Sequence, residues 1–464
     1  MFAMDVRFSP HNTHLEKVGS FHQTDPHLKQ LHNLKLVYQH NLLNILPMKQ
    51  PGIYSVTGGR QIGKTTLLKQ YMARLLERGI IAENIAFFTG ELIDDHHSLV
   101  RLFTDQLDTV SDGLCFFLLD EVSYIKDWDK AIKFMADSGQ LANVVLVLTG
   151  SDTGFIKEAR MRFPGRRGKA DDHDFHLFPL SFAEFLQLKH RFSKSDLVRM
   201  TRINKREPDK HLNLLFLEFD NYLIHGGYLT AINDMAMENR ILNSTLNTYS
   251  DWIRGDFLKR GKQEHYLRQI IQAIITRYGS QVTWNNLLTD LTIDHPKTVS
   301  DYVSLLETMD AAFIQNALVE DKLQPAPKKA KKLIFTDPFI FHALQNWIAP
   351  VKDPFEQVIK PMLSDSKSIS KLVEACVVSH FRRYYETMYI KASGEVDIAY
   401  IHRIKFWPVE IKWTNQIRQK DLKQIMKYPN GRILAKTNQF GDLNNVPVIP
   451  LPIGILDMAF QSFS

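Results

Sequence analysis

Gly58-Gly59-Arg60-Gln61-Ile62-Gly63-Lys64-Thr65 fills the pattern G-x-x-x-x-G-K-[ST] without a gap. Glycines in such a loop let backbone N–H groups converge on phosphate oxygens where a Cβ would intrude. A helix opening at Lys64 adds the partial positive charge of its N-terminus. Lys64 is placed to reach the β- and γ-phosphates of ATP, and the hydroxyl of Thr65 to bind Mg2+, with Thr66 completing the loop. Asp120 and Glu121 end an apolar run, Leu114-Cys115-Phe116-Phe117-Leu118-Leu119. Asp120 is expected to hold the Mg2+, directly or through water, and Glu121 to polarise the attacking water. An acidic pair after a strand also caps helices, but downstream of a full phosphate loop the catalytic reading takes precedence. Ser151 follows Thr149 and Gly150 and is placed to sense the γ-phosphate. Arg166 and Arg167 lie in a basic loop, where Arg166 can act as a finger on a neighbouring copy's nucleotide or be one cation of a solvated surface.

A second constellation lies near the C-terminus. Asp397, in Gly394-Glu395-Val396-Asp397, and Glu410 and Lys412, in Glu410-Ile411-Lys412, fit D-x(n)-E-x-K, which resembles the signature of PD-(D/E)XK nucleases. In a strand, residues two apart share a face, so Glu410 and Lys412 point together with Ile411 behind them. Asp397 on a paired strand can then share a divalent metal with Glu410, and Lys412 can orient the attacking water. Glu374, upstream in a helical run, commonly completes the metal shell in that fold. Carboxylate donors suit Mg2+ or Mn2+. Gln424 and Tyr428 sit four residues apart, on one helix face, and match a Q-x-x-x-Y helix of one nuclease branch.

The intervening elements must position these residues. A polar lead and helical stretch fill 1–50. From residue 53 short apolar strands at 53–56, 85–88, 114–119 and 144–148 alternate with amphipathic helices, which predicts a largely parallel covered sheet over 51–190. A helical region spans 191–260. Over 261–350 three helices precede a strand, a Pro- and Lys-rich tip at 324–332 carrying Lys328, Lys329, Lys331 and Lys332, and a strand at 333–335. That is the order of a winged helix. A linker is expected at 351–370 and a small α/β domain at 371–464, with helices at 371–385 and 418–427 and a short edge strand at 448–451. The fold class is therefore α/β: a P-loop NTPase parallel sheet with helices on both faces, a helical winged-helix domain, then a restriction-endonuclease-like domain.

Composition narrows the class. In 464 residues, 57 Lys and Arg stand against 51 Asp and Glu, a formal charge of +6 that permits DNA binding without arguing for it. Two cysteines, Cys115 and Cys376, both in apolar runs, exclude a disulfide framework or a cysteine zinc site. The polar first 20 residues lack a secretory h-region, and no apolar run spans a bilayer, so a soluble cytoplasmic protein without a membrane partner is expected. His96 and His97 form a pair with no further ligand.

From 53 to 185 the chain resembles AAA-type ATPases of a widespread prokaryotic group, through the phosphate loop, Leu119-Asp120-Glu121-Val122 with Trp128, Thr149-Gly150-Ser151, Pro164-Gly165-Arg166 and Pro179-Leu180-Ser181-Phe182. Gly226-Gly227-Tyr228 and Thr336-Asp337-Pro338 extend the likeness. Gly59 replaces a common Pro, and the stretch 169–174 is longer and more polar than usual. The resemblance implies an ATPase followed by winged-helix and nuclease-like regions, ATP with Mg2+ (and Mn2+ at the C-terminal site), DNA as partner and a homo-oligomer. The rival expectations are a nucleotide-gated protein switch whose C-terminal domain only docks, and a kinase-like phosphotransferase, which the additional domains oppose.

Overall fold

The computed structural model describes residues 5–110, 112–152, 154, 161, 164–202, 211–289, 291–414 and 422–461. They form two compact units, Met1–Phe178 and Pro179–Ser464.

The first unit is built on five strands: β1 (Gly52–Thr57), β2 (Ile85–Thr89), β3 (Cys115–Asp120), β4 (Val144–Gly150) and β5 (Asp174–His176). They pair in parallel in the order β2-β3-β4-β1-β5. The strands β1 to β4 are mostly apolar because both faces are covered. In β3, Cys115, Phe117 and Leu119 enter one core and Phe116 and Leu118 the other. The helix Lys64–Glu77 buries Leu67, Leu68, Tyr71, Met72 and Leu75 on one stripe. The N-terminal lead belongs to this unit: Phe21, Leu28, Leu42, Leu43 and Leu46 pack in the same core as Tyr71. Asp25 caps the helix Pro26–Leu31 and pairs with Lys69 at 3.0 Å, both side chains fully buried.

In the second unit the helices Glu264–Thr276, Trp284–Leu288 and Pro296–Thr308 precede β6 (Ala312–Val319) and β7 (Gln324–Phe335). After the helices Pro338–Ile348 and Ser366–Arg382 come β8 (Thr387–Lys391), β9 (Glu395–His402), β10 (Lys405–Lys412), β11 (Arg432–Ala435), β12 (Gly441–Leu443) and β13 (Val446–Pro450). All eight form one mixed sheet, ordered β12-β13-β11-β10-β9-β8-β6-β7.

Four expectations need correction. The tip expected at 324–332 is strand: β7 runs through it, and its prolines are tolerated because β7 is the sheet edge. The register with β6 breaks between Asn316 and Ala317, which throws Pro327–Ala330 outward with Lys328 and Lys329 exposed. Lys331 and Lys332 are instead buried, at 6% and 1% exposure. The expected linker 351–370 holds a π-helical turn Phe355–Ile359 and a helix Lys360–Ser364, anchored by buried Phe355 and Ile359. The strand expected as an edge at 448–451 is interior, between β11 and β12. Residues 418–421 of the helix expected at 418–427 lie outside the described residues, and the rest holds only a 3-10 turn, Ile425–Lys427.

Three buried histidines give the second unit a pH dependence. His225 Nδ1 donates to the carbonyl of Gly226 at 2.6 Å, His342 Nε2 to that of Leu223 at 2.9 Å and His380 Nδ1 to that of Cys376 at 2.8 Å. His380 Nε2 also accepts from the Phe182 amide at 3.0 Å, which requires the neutral ring. Burial pushes their pKa values down, to about 3, 4 and 3. The unfolded rings take protons near pH 6.5 and the folded ones refuse them, so this stability is complete above pH 6.5 and is lost as pH falls toward 4. Burial raises three carboxyls of the same unit, Asp337, Glu374 and Glu410, and these act oppositely, stabilising the fold as pH drops. The two sets offset, so the histidine contribution is expected in a comparison of variants: the stability advantage of wild type over His342→Gln should shrink by about 1.4 kcal/mol per pH unit as pH falls from 6 toward 4. Urea midpoints of both proteins across this range test it; a difference independent of pH would contradict it.

Candidate functional site

The loop after β1 turns through left-handed backbone at Gly58, Gln61 and Gly63, with φ of 152°, 56° and 98°. Gly63 caps the helix Lys64–Glu77, and a Cβ built there meets nothing within 4 Å, so the cradle over the helix N-terminus is open. Lys64 is 4% exposed, and its ammonium donates to the carbonyls of Gly58 at 3.1 Å and Gly59 at 2.9 Å. Glu121 Oε1 lies 3.5 Å from the same ammonium. Arg60 reaches the Tyr124 hydroxyl at 3.2 Å.

Neighbouring parallel strands deliver the partners. Thr65 Oγ1 donates to Asp120 Oδ2 at 2.6 Å, and Thr149 Oγ1, at the end of β4, donates to Asp120 Oδ1. The Glu121 amide donates to Thr149 Oγ1 at 3.0 Å, holding Glu121 in left-handed backbone, φ 50°. Ser151 Oγ donates to Glu121 Oε2 at 3.2 Å. Burial raises the pKa of Asp120 and lowers that of Lys64. The set fits Mg-ATP: amides at a helix N-terminus for phosphate, and two hard oxygen donors, Thr65 and Asp120, side by side for the metal.

Arg166 is not brought to these residues; its guanidinium pairs with Asp137, at the end of the helix Trp128–Asp137. Arg167 forms a two-pronged pair with Asp174, at 2.6 and 2.7 Å, beside the β1–β5 pairing. Upstream of Arg166 the sequence also carries Lys157, Arg160 and Arg162, which lie outside the described residues.

In the second unit the helix Ser366–Arg382 brings Glu374 to Asp397 of β9, which also adds Glu395, with one carboxylate oxygen of each within 4.8 Å of the others. Asp397 Oδ2 accepts from the Ile411 amide at 2.8 Å. Glu410 Oε1 takes the Lys412 ammonium at 2.6 Å, while Oε2 is buried without a hydrogen-bond partner. Burial and the neighbouring Asp397 raise Glu374 to about 7 and Glu410 to about 8. Gln424 Nε2 donates to the Tyr428 hydroxyl at 3.1 Å.

Sequence reasoning missed two members. Glu395 is two residues from Asp397 on β9, so strand alternation alone could have placed it on that face. Lys332 gave no such signal: β7 carries it in from the hairpin. Its ammonium lies 2.6 Å from Glu374 Oε1 and 3.9 Å from Asp397 Oδ1, and pairs with Glu395. Burial alone would lower its pKa, but the three carboxylates outweigh burial and raise it. The oxygen donors are of the type Mg2+ and Mn2+ prefer, yet an ammonium already sits among them, so this arrangement does not fit a divalent ion.

A family model described as an AAA domain matches residues 50–186, and one described as a domain of unknown function (DUF8612) matches residues 217–350. An uncharacterized protein of Haemophilus influenzae is 26% identical over 265 residues, 54% of this chain and 59% of its own. An uncharacterized protein of Methanocaldococcus jannaschii is 28% identical over 256 residues, 52% of each chain. This chain thus spans between half and three fifths of the length of those relatives. The Walker-type ATPase of Pyrococcus abyssi is similar with a TM-score of 0.40 and 13% identity, over 63% of this chain and 91% of that one. Residues 50–186 are an AAA-type P-loop ATPase domain. Among the described residues no helix is long and apolar enough to cross a membrane.

Proposed function

We propose that the chain couples ATP hydrolysis in its first unit to work on bound DNA through its second. The observation that carries the reading is the convergence of Lys64, Thr65, Asp120, Glu121, Thr149 and Ser151 at the strand ends beside the loop. The loop amides and Lys64 would hold the triphosphate, and Thr65 and Asp120 the Mg2+. When bound, Mg2+ neutralises charge on the phosphoryl oxygens. Lys64 keeps a cation fixed at the loop. Thr149 locks Asp120 and the Glu121 backbone in register, and Ser151 orients the Glu121 carboxylate, which is placed to draw a proton from water. Arg166, half-buried and paired with Asp137 rather than with its own phosphate loop, retains the reading of a finger in a homo-oligomer.

Three helices followed by a hairpin support a winged helix, and the exposed Lys328 and Lys329 suit phosphate contacts. The strands bearing Asp397, Glu410 and Lys412 support a restriction-endonuclease-like fold. The placement of Lys332 favours a second reading of that domain, as a module that docks on DNA or protein without cutting. ATPase rates with and without duplex or branched DNA test the scheme. Several-fold stimulation at about 50 mM salt, fading by about 200 mM, is expected, with the DNA left intact in Mg2+ and Mn2+. Absence of both stimulation and salt-sensitive binding would refute the DNA reading.

A further inference from the structure

Lys332 is nearly sealed from solvent, and its ammonium touches the three carboxylates that would form the cation shell of the C-terminal site. Two other features mark the place as one for a cation. Glu410 is 5% exposed and keeps a buried carboxylate oxygen without a hydrogen-bond partner. Gln281 donates to Glu395, and the Ile411 amide to Asp397, so neutral donors hold those carboxylates in the pose that faces Lys332. The lysine is fixed from behind as well: β7 pairs its backbone with Gln315 of β6, and its ammonium lies 5.5 Å from the ring centre of Tyr389. Gln315, fully buried, ties β6 to β9 by donating to the Asp397 carbonyl at 2.8 Å.

We propose that Lys332 is a built-in counter-ion that occupies the divalent-cation position between Glu374, Glu395 and Asp397, so that this site binds Mg2+ or Mn2+ only when Lys332 is removed or withdrawn with β7. A divalent ion and an ammonium cannot share the space, because like charges a few ångströms apart in a buried site repel strongly. The cluster is therefore self-neutralising, and its occupant is controlled by the hairpin rather than by metal supply. This goes beyond the proposed function and holds whether or not the protein acts on DNA.

The test is Mn2+ titration of the full chain without nucleotide, followed by the electron paramagnetic resonance of free Mn2+. Wild type and Asp397→Asn should bind Mn2+ alike. Lys332→Met should gain one Mn2+ per chain, bound at least about ten-fold more tightly than any Mn2+ on the wild type, and Lys332→Met with Asp397→Asn should lose it. Lys332→Arg, which keeps the charge, should gain none. A stoichiometric Mn2+ on the wild type that Asp397→Asn or Glu374→Gln abolishes would overturn the proposal. So would a Lys332→Met protein with wild-type circular dichroism and no added Mn2+. Should Lys332→Met not fold, the wild-type comparison still decides.

Discussion

Lys64→Ala is expected to lower kcat for ATP hydrolysis by at least about 100-fold, the cost of removing one preorganised charge contact, about 3 kcal/mol. Lys64 is well suited to that role before any ligand arrives. Its stem is buried, and two loop carbonyls and Glu121 already fix its ammonium at the mouth of the helix Lys64–Glu77. Alanine leaves the helix and the loop glycines in place, so the loss falls on phosphate binding and turnover rather than on folding. Glu121→Gln separates the two: it keeps the Thr149 contact, which is made through the backbone, and so should still bind nucleotide while losing turnover. Phosphate release and binding of a fluorescent nucleotide measure both. Undiminished phosphate release from Lys64→Ala would remove the basis for the ATPase reading.

The largest effect on stability is expected at Gly227. A Cβ there would lie 2.1 Å from the Leu180 carbonyl oxygen, 2.5 Å from its amide nitrogen and 2.8 Å from the Pro179 carbonyl carbon. All three are backbone atoms, and they are tied down. The Leu180 amide donates to the Gly227 carbonyl at 2.8 Å, and the Tyr222 hydroxyl to the Leu180 carbonyl at 2.5 Å. Asp337 accepts from the Gly227 amide at 2.9 Å and the Phe339 amide at 2.8 Å. Gly227→Ala must break this clasp, at a cost of about 3 kcal/mol or more. Gly255 is the contrast: it lies within the helix Asn243–Lys259 with nothing near its Cβ position, so Gly255→Ala should be neutral or stabilise by about 0.5–1 kcal/mol. Urea denaturation of both variants decides, and equal midpoints would refute the clasp.

The clasp also gives a physical meaning to sequence pieces that were otherwise only a resemblance. Leu180-Ser181-Phe182, Gly226-Gly227-Tyr228 and Thr336-Asp337-Pro338 meet there. They hold backbone in place and do no chemistry. The nucleotide site was legible in the sequence because every partner lies at the end of an apolar strand and the strands are parallel neighbours. β1 to β4 could be read from uninterrupted buried runs, whereas β5 is three residues with one buried, too little to register. β8 was hidden behind the end of the preceding helix. Prolines at 325 and 327 read as a turn because an edge strand tolerates what an interior one does not. The C-terminal carboxylates were legible in part through strand alternation. Lys332 was not, because what places it is the pairing of distant strands.

That pairing has a consequence for how the protein can be divided. Ala317 of β6 pairs with Tyr389 of β8, so the helical region and the C-terminal strands share a single ladder. A fragment starting at residue 351 would leave β8 as a bare edge, open to foreign strands, and would strip the acidic residues behind it of their internal cation. The two halves of this unit are therefore expected to be inherited, exchanged and expressed as one piece, despite sequence signatures that suggest two.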